Sequence, residues 1–526
     1  MAILTGNVYL DSFAFAVSVF AVIVAFFKWS FGYWERQGVY APKTTIPFGN
    51  AKDFLFQKIN MGVAVKNGYD DIKSKGKKFG GYYFLGNPIF IPVDLDLVKS
   101  MLTKDFAHFT NHLNTFDEKT DILTAHLFNL KDAKWKNLRM KLTPTFTSGK
   151  MKMMFQTLVN CSDHLVKVID EYIEEKEAIN IKEVVARFTT DVIGSCAFGI
   201  ECNSLKNPNS DFRKYGRMIF DLTAWGGLVR QIAVGWPKLL VYLKIRTFRK
   251  DVADFYTNIV KETVNYREKN NIIRKDFMHL LIQLKNNVKI SENNVGELKN
   301  NSQSDTNINR NNSNAITMNE LLAQAFVFFA AGFETSSTTT TFCLYELVQN
   351  PEVQEKVREE VNAVLEKYDG NLTYDALMEM TYMEKCINET LRKHPPVAVH
   401  TRECTETYKV PGSNLVLKKG SSVFISVLGI QHDPEYYPDP DKFDPERFCP
   451  ENKANRHGAA WIPFGDGPRA CIGLRFGIMQ TKVGLATLLK NFRFTLHSKT
   501  KLPLEIDPRG FVASVREGVW LRAKRI

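Results

Sequence analysis

Cysteine is sparse and unpaired in this sequence of 526 residues: Cys161, Cys196, Cys202, Cys343, Cys386, Cys404, Cys449 and Cys471 are scattered, and no two form a C-x-x-C unit. That distribution argues against a zinc site or a disulfide framework and for reduced thiols. Flavin and dinucleotide fingerprints are also missing, so electrons for any redox chemistry must come from another protein. The net charge is +12, yet there is no basic tract with interleaved aromatics and no finger spacing. Nucleic acid is therefore disfavoured as a partner, and the positive charge points to an acidic protein or an anionic membrane surface. No internal repeat is present, which removes solenoids and propellers.

What the chain does have is material for a large core: 44% hydrophobic residues, among them 38 Phe. Its one long uninterrupted apolar run is Ser12 to Phe27. A basic segment before that run and an A-x-A-like exit after it are lacking, so residues 1–30 read as a retained membrane anchor and not as a cleaved signal. Lys28, Arg36 and Lys43 follow the run and Asp11 stands at its start, which places the remainder on the cytoplasmic side. Pro42 and Pro47 make residues 31–50 a stiff linker, and residues 51–526 the folded domain. Tyr82 to Pro92 reads as a hairpin turning at Gly86 and Asn87. The Asn-rich stretch 286–316 reads as a flexible surface loop. The interrupted apolar stretch Leu222 to Leu243, with Trp225 and Trp236, is expected to dip into the bilayer without spanning it. Thr317 and Glu320 form a T-x-x-E capping box that opens a helix of about thirty residues, ending near Asn350 and Pro351. Thr381 and Glu384 suggest a second box, on a helix stopped by Pro395 and Pro396. Tyr408 to Val427 reads as a small antiparallel sheet.

The sharpest local signal is Phe464-Gly465-Asp466-Gly467-Pro468-Arg469-Ala470-Cys471-Ile472-Gly473, followed by a helical pattern. Glycines permit a tight loop that approaches a flat ligand closely. A cysteine just before a helix N-terminus meets free amides and a positive helix end, which stabilise its thiolate. Arg469 is suited to pairing with a carboxylate of the same ligand. A lone Cys would more often be an inert buried thiol, but here the spacing fits F-x-x-G-x-R-x-C-x-G and resembles the haem-binding signature of the cytochromes P-450.

That resemblance extends over nearly the whole chain after the anchor. It implies a mainly α fold, a large helical domain with a long central helix over haem plus a small antiparallel β region, behind the N-terminal transmembrane helix. It implies haem b with Cys471 as axial iron ligand, and Phe464, Arg469 and Gly473 in the cofactor-binding loop. Glu389 and Arg392 match the family's E-x-x-R pair and Arg447 its third member, a structural trio. Trp135 and Arg139 match W-x-x-x-R, whose members reach the haem propionates, and Arg402 resembles a further propionate-binding arginine. His112 stands where relatives often carry another arginine. Ala331 to Thr335 (AGFET) resembles the oxygen-activating segment, in which Glu334 and Thr335 would act as a proton relay. Gly332 costs about 1 kcal/mol relative to Ala inside a helix, and room for dioxygen is one reason to keep it. A Thr335 hydroxyl bonded back to Ala331 is the plainer reading, and the two are compatible.

A thiolate ligand implies a monooxygenase, because it pushes electron density onto iron and favours O–O cleavage. The runs AQAFVFFAAGFETSSTTTTFCLYEL and PFGDGPRACIGLRFGIMQTK look most like insect microsomal enzymes of the detoxification branch. The implied substrates are lipophilic small molecules: plant toxins, insecticides, or endogenous hormones and lipids. Pocket walls are expected from Phe109 to Leu123, Val327, Ala330, Ala331, Val397 to Thr401 and Val512 to Val515. The implied electron donor is NADPH-cytochrome P-450 reductase, with cytochrome b5 as an accessory donor, docking near Lys131, Lys134, Lys136, Lys141, Arg475 and Lys482. The location is the endoplasmic reticulum membrane. Two rival readings stay open: a haem-thiolate isomerase or dehydratase, against which Glu334 and Thr335 count, and a non-catalytic haem sensor or carrier.

Overall fold

The computed structural model describes residues 7–114, 117–220, 226–227, 229, 232, 237–287 and 315–526. Most of the Asn-rich stretch 286–316 lies outside the described residues, as does much of 222–243 with Trp225 and Trp236. The first helix, α1 (Val8–Phe31), opens on Asn7, whose side chain accepts from the amides of Tyr9 and Leu10. Its best 18-residue window has a mean hydropathy of 2.3 and no buried residue. Its 24 residues reach about 36 Å, enough for a hydrocarbon layer of about 30 Å.

The C-terminal end of α1 and the segment after it are locked onto the domain. Ser30 Oγ donates to Gly86 O (2.6 Å), Tyr83 Oη donates to Phe31 O (2.6 Å), and the Trp34 amide donates to Tyr83 Oη (2.9 Å). Trp34 is buried, its ring lying where a Cβ at Gly81 would stand 2.2 Å from it. The strands it covers, β1 (Phe79–Phe84) and β2 (Asn87–Pro92), pair with Phe84 opposite Asn87. The turn is therefore Leu85-Gly86, one residue earlier than expected, because Asn87 is already in the ladder; Leu85 takes the positive φ of 53°.

The helices that build the site are α2 (Asp132–Leu142), α3 (Ser148–Glu174), α4 (Ile181–Ile193), α5 (Asp211–Phe220), α6 (Met318–Gln349), α7 (Pro351–Lys367), α8 (Thr381–Lys393) and α9 (Leu474–Asn491). The 32-residue α6 starts at the capping box: Thr317 Oγ1 accepts from the Glu320 amide (3.1 Å) and Glu320 Oε2 from the Thr317 amide (2.7 Å). It is apolar nearly all round and runs through the core, as its composition requires. The box expected at Thr381 and Glu384 does not form. Glu360 of α7 caps α8 instead, accepting from the amides of Tyr382 (2.6 Å) and Met383 (2.8 Å), while Glu384 turns to Lys482 (3.3 Å).

Short strands flank this helical body. Between β3 (Ile179–Asn180) and the C-terminal strands lie β4 (Val399–Glu403), β5 (Tyr408–Lys409), β6 (Val416–Leu417) and β7 (Ser422–Ser426). The chain ends with β8 (Phe492–Leu496) and β9 (Trp520–Arg525). The four-stranded sheet has the order β1-β2-β7-β4, with β2 and β7 parallel and the other pairs antiparallel. The stretch read as one small sheet thus divides: β5 and β6 pair with each other, while β7 joins the larger sheet.

Candidate haem-thiolate site

The loop from Phe464 to Gly473 is shaped by its glycines. Gly467 has φ +68°, and a Cβ there would stand 1.9 Å from Leu102 O. Asp466 accepts from the Gly467 amide (2.7 Å) and pairs with Lys99 (2.5 Å), and the Cys471 amide donates to Phe464 O (2.9 Å). Gly473 is the N-cap of α9 and has open space at its Cα. Burial pushes the Cys471 thiol up, while the Gly473 amide and the Arg139 guanidinium hold it down. Protein surrounds this thiol, yet Cys471 is exposed. Ala331 is likewise exposed in the otherwise buried middle of α6. The exposure of Cys471, on the loop before α9, and of Ala331, on α6, supports a cleft between these two elements.

One wall is a cluster of cations. Trp135 and Arg139 share a face of α2; Arg139 Nη1 donates to Ala470 O (3.0 Å), and the Arg469 guanidinium lies 4.1 Å above the Trp135 ring. Arg469 is held by three carbonyls, those of Thr110 (2.8 Å), Leu127 (3.2 Å) and Leu130 (2.7 Å). Arg402 of β4 is 2% exposed; its Nη1 donates to Thr401 O (2.8 Å), and its Nε has no partner. Burial pushes Arg402 down to about 10, and burial with the neighbouring arginines pushes Arg469 down to about 9. His112 and His400 face the same cluster. His112 is bonded to Phe128 O (3.0 Å) and His400 to Ile462 O (2.7 Å). Burial, first, and Arg402, second, hold both imidazoles below their usual range, His400 at about 4.

On the opposite wall, Thr335 Oγ1 donates to Ala331 O (2.7 Å). Gly332 has a reason for lacking a side chain other than dioxygen: a Cβ there would stand 2.4 Å from Ile193 Cδ1, where α4 crosses α6. Its carbonyl accepts from Gln480 Nε2 of α9 (3.4 Å). Glu334 is not a free acid: its Oε1 pairs with Lys182 (2.8 Å).

The trio lies on the far side of the Cys471 loop. Arg392 and Glu389 are fully buried and paired twice, Nε to Oε2 (2.8 Å) and Nη2 to Oε1 (2.9 Å). Arg447 approaches Glu389 at 3.4 Å and donates to Pro438 O (2.7 Å). Gln431 links this cluster to the loop, donating to Arg392 O (3.0 Å) and accepting from the Ile462 amide (3.1 Å).

Some expected positions fall elsewhere. Phe109 and Leu123 are core residues with no exposure, Phe109 packing on Tyr408 at 4.9 Å. Lys134, Lys136 and Arg475 are exposed, but Lys482 is fully buried, because its ammonium turns inward to Glu384. Sequence reasoning missed Lys182, Gln431 and Gln480, and named His400 only within the expected pocket wall Val397 to Thr401. No local pattern marks them, since each meets its partner across at least 31 positions of sequence.

A model of the cytochrome P450 family matches residues 53–521. The chain belongs to the cytochrome P450 family. It is 42% identical to cytochrome P450 6A1 of Musca domestica, with 97% of each chain covered. It is 41% identical to cytochrome P450 6a2 of Drosophila melanogaster, over 97% of this chain and 98% of that one. As a cytochrome P450 monooxygenase it is a haem-thiolate enzyme whose iron takes a cysteine as axial ligand. The residues present fit that group. An accessible thiol stands at a helix N-terminus, and a buried guanidinium with a spare donor calls for an anion that the protein does not supply to it.

Proposed function

We propose that Cys471 is the axial ligand and that the protein inserts one oxygen atom of O2 into lipophilic small molecules, xenobiotics or endogenous lipids, with electrons from NADPH delivered by a cytochrome P450 reductase. Cytochrome b5 is an accessory donor. The observation that carries the reading is the Cys471 thiol, accessible from within the cleft and facing the Gly473 amide and Arg139. Haem, when bound, supplies an iron that activates dioxygen under electron push from the thiolate. Arg139, Arg402 and Arg469, with Trp135 beneath Arg469, would hold its carboxylates; Phe464 and Gly473 shape the loop. Thr335, bonded to Ala331 O, keeps a hydroxyl on the cleft side of α6 to hand on a proton, with Glu334 as the acid beside it. Glu389, Arg392 and Arg447 hold the proximal frame.

The anchor helix and the basic residues Lys28, Arg36 and Lys43 support an endoplasmic reticulum enzyme with its domain on the cytoplasmic side. The test is the carbon monoxide difference spectrum of the dithionite-reduced protein against Cys471→Ala. A strongly red-shifted Soret band in wild type and its absence in the variant are expected. No such band in haem-loaded wild type overturns the ligand assignment.

A further inference from the structure

A second cavity, of about 590 Å3, lies between the end of α3, the start of α4 and the segment that joins β8 to β9. That volume lies within the range of small-molecule pockets. Lys176, Glu177 and Lys499 stand exposed at its rim, and none of the residues placed around Cys471 borders it. One wall is the Trp520 ring, and it is fixed. Trp520 sits opposite Asn180 in the β3–β9 pair, exchanges two hydrogen bonds with Thr500 Oγ1 (2.8 Å each), and donates from Nε1 to Glu517 O (3.0 Å). Tyr172 supplies a second ring.

The polar groups of the cavity are nearly all donors. His497 Nδ1 accepts from the Lys499 amide (3.1 Å), which leaves Nε2 to donate. Asn180 Oδ1 accepts from the Glu183 amide (3.4 Å), which leaves its NH2 group to donate. Lys176 and Lys499 enter no ion pair among the described residues; the Lys499 ammonium lies 5.0 Å above the Trp520 ring. Glu183 is already taken by Arg213 (2.7 Å), Arg217 (2.6 Å) and Arg187 (3.1 Å), which leaves Glu177 as the one acid at the rim without a cation. Arg522 of β9 adds positive charge beside His497. A cation is therefore repelled, and the ring face that would attract one is held by Lys499. We propose that this cavity binds a small aromatic anion, a planar ring carrying a sulfate or a carboxylate. The ring lies against Trp520 and Tyr172, and the anionic group meets Lys176 and Lys499 with His497 Nε2 and the Asn180 amide as hydrogen-bond donors. Such a ligand is the opposite of a lipophilic substrate in its charge, and it occupies a different place in the fold.

The experiment uses the full-length, haem-loaded protein in a nonionic detergent. The probes are 1-naphthyl sulfate, 1-naphthoate and, as a cationic control, 1-naphthylmethylammonium. Heat of binding is measured by titration calorimetry, and the Soret band is recorded in parallel to report entry into the haem cleft. At least one of the two anions is expected to bind at a single saturable site without moving the Soret band, and to weaken as salt is raised; the tighter of the two names the head group. Lys499→Glu should weaken that binding by about fivefold or more, and Lys176→Asn, which tolerates the φ of 57° at this position, by about twofold or more. Trp520→Leu should weaken it by about fivefold. Failure of both anions to bind, binding of the ammonium as tight as theirs, or a Soret shift that tracks the anion overturns the proposal. So does wild-type affinity in both Lys499→Glu and Lys176→Asn. Both lysines are exposed, so these two variants decide should Trp520→Leu not fold.

Discussion

Replacing Arg402 by Met removes a cation that the protein itself leaves short of partners. The guanidinium is 2% exposed, donates to Thr401 O, and keeps Nε unbonded. Burial pushes its pKa down from the usual arginine range to about 10, which means that the charged form is destabilised by about 3 kcal/mol. At pH 7.5, well below that value, the group is charged and the whole penalty is present. A carboxylate of the bound haem relieves it, and a charge-assisted hydrogen bond contributes about 1.5–3 kcal/mol. Arg402→Met should therefore lose haem roughly ten to a hundred times faster than wild type. The assay is transfer of haem from the detergent-solubilised protein to excess apomyoglobin, followed in the Soret band. Arg402→Lys keeps the charge without the planar fork, so it should fall between the two. A rate within twofold of wild type for Arg402→Met, or equal rates for the Lys and Met variants, refutes the reasoning.

The other predictions concern stability and packing. Glu389→Gln leaves the fully buried Arg392 without its carboxylate, which should cost about 3–5 kcal/mol; an unfolding midpoint equal to wild type would show the pair to be dispensable. Gly332→Ala sets a methyl group 2.4 Å from Ile193 Cδ1, an overpacking of about 1–3 kcal/mol that Ile193→Val should relieve in the same thermal scan. His126 and His432 are held by burial at about 3 in the folded protein. The unfolded chain binds their protons first, so stability is full above pH 6.5 and falls as pH drops from 6.5 toward 3, by about 1.4 kcal/mol per pH unit for each group. His126→Gln should flatten that decline between pH 6 and 4, and an unchanged slope would remove His126 from the account. Glu360→Ala frees the amides of Tyr382 and Met383 and should cost about 1–2 kcal/mol, measured against Thr381→Ala, which should be nearly silent.

Features confined to a few consecutive residues were legible before any fold was known. The Thr317–Glu320 box is written within four positions, and the cysteine loop within ten. The failures share one cause. Thr381 and Glu384 have the same spacing as Thr317 and Glu320, but a glutamate 22 positions upstream reaches the Tyr382 amide first. The crowding at Gly332 comes from Ile193 on a different helix, a second reason for glycine that no sequence window shows. Lys482 looked like surface charge because its burial depends on Glu384, 98 positions away. Local patterning sets what a residue is able to do; which partner it finds is decided by helix crossings that no window of sequence contains.

The Trp34 ring seated on Gly81 has a consequence for how this enzyme meets its electron donor. Because α1 is bonded through Ser30 and Phe31 to the first hairpin, the catalytic body would share the tilt of α1 in its proposed role as anchor. Of three rotations open to a tethered protein, only spinning about the membrane normal is left free. With α1 as the proposed anchor, a donor proposed to sit in the same bilayer would meet the domain at one height and one inclination, and docking would reduce to a search over a single angle.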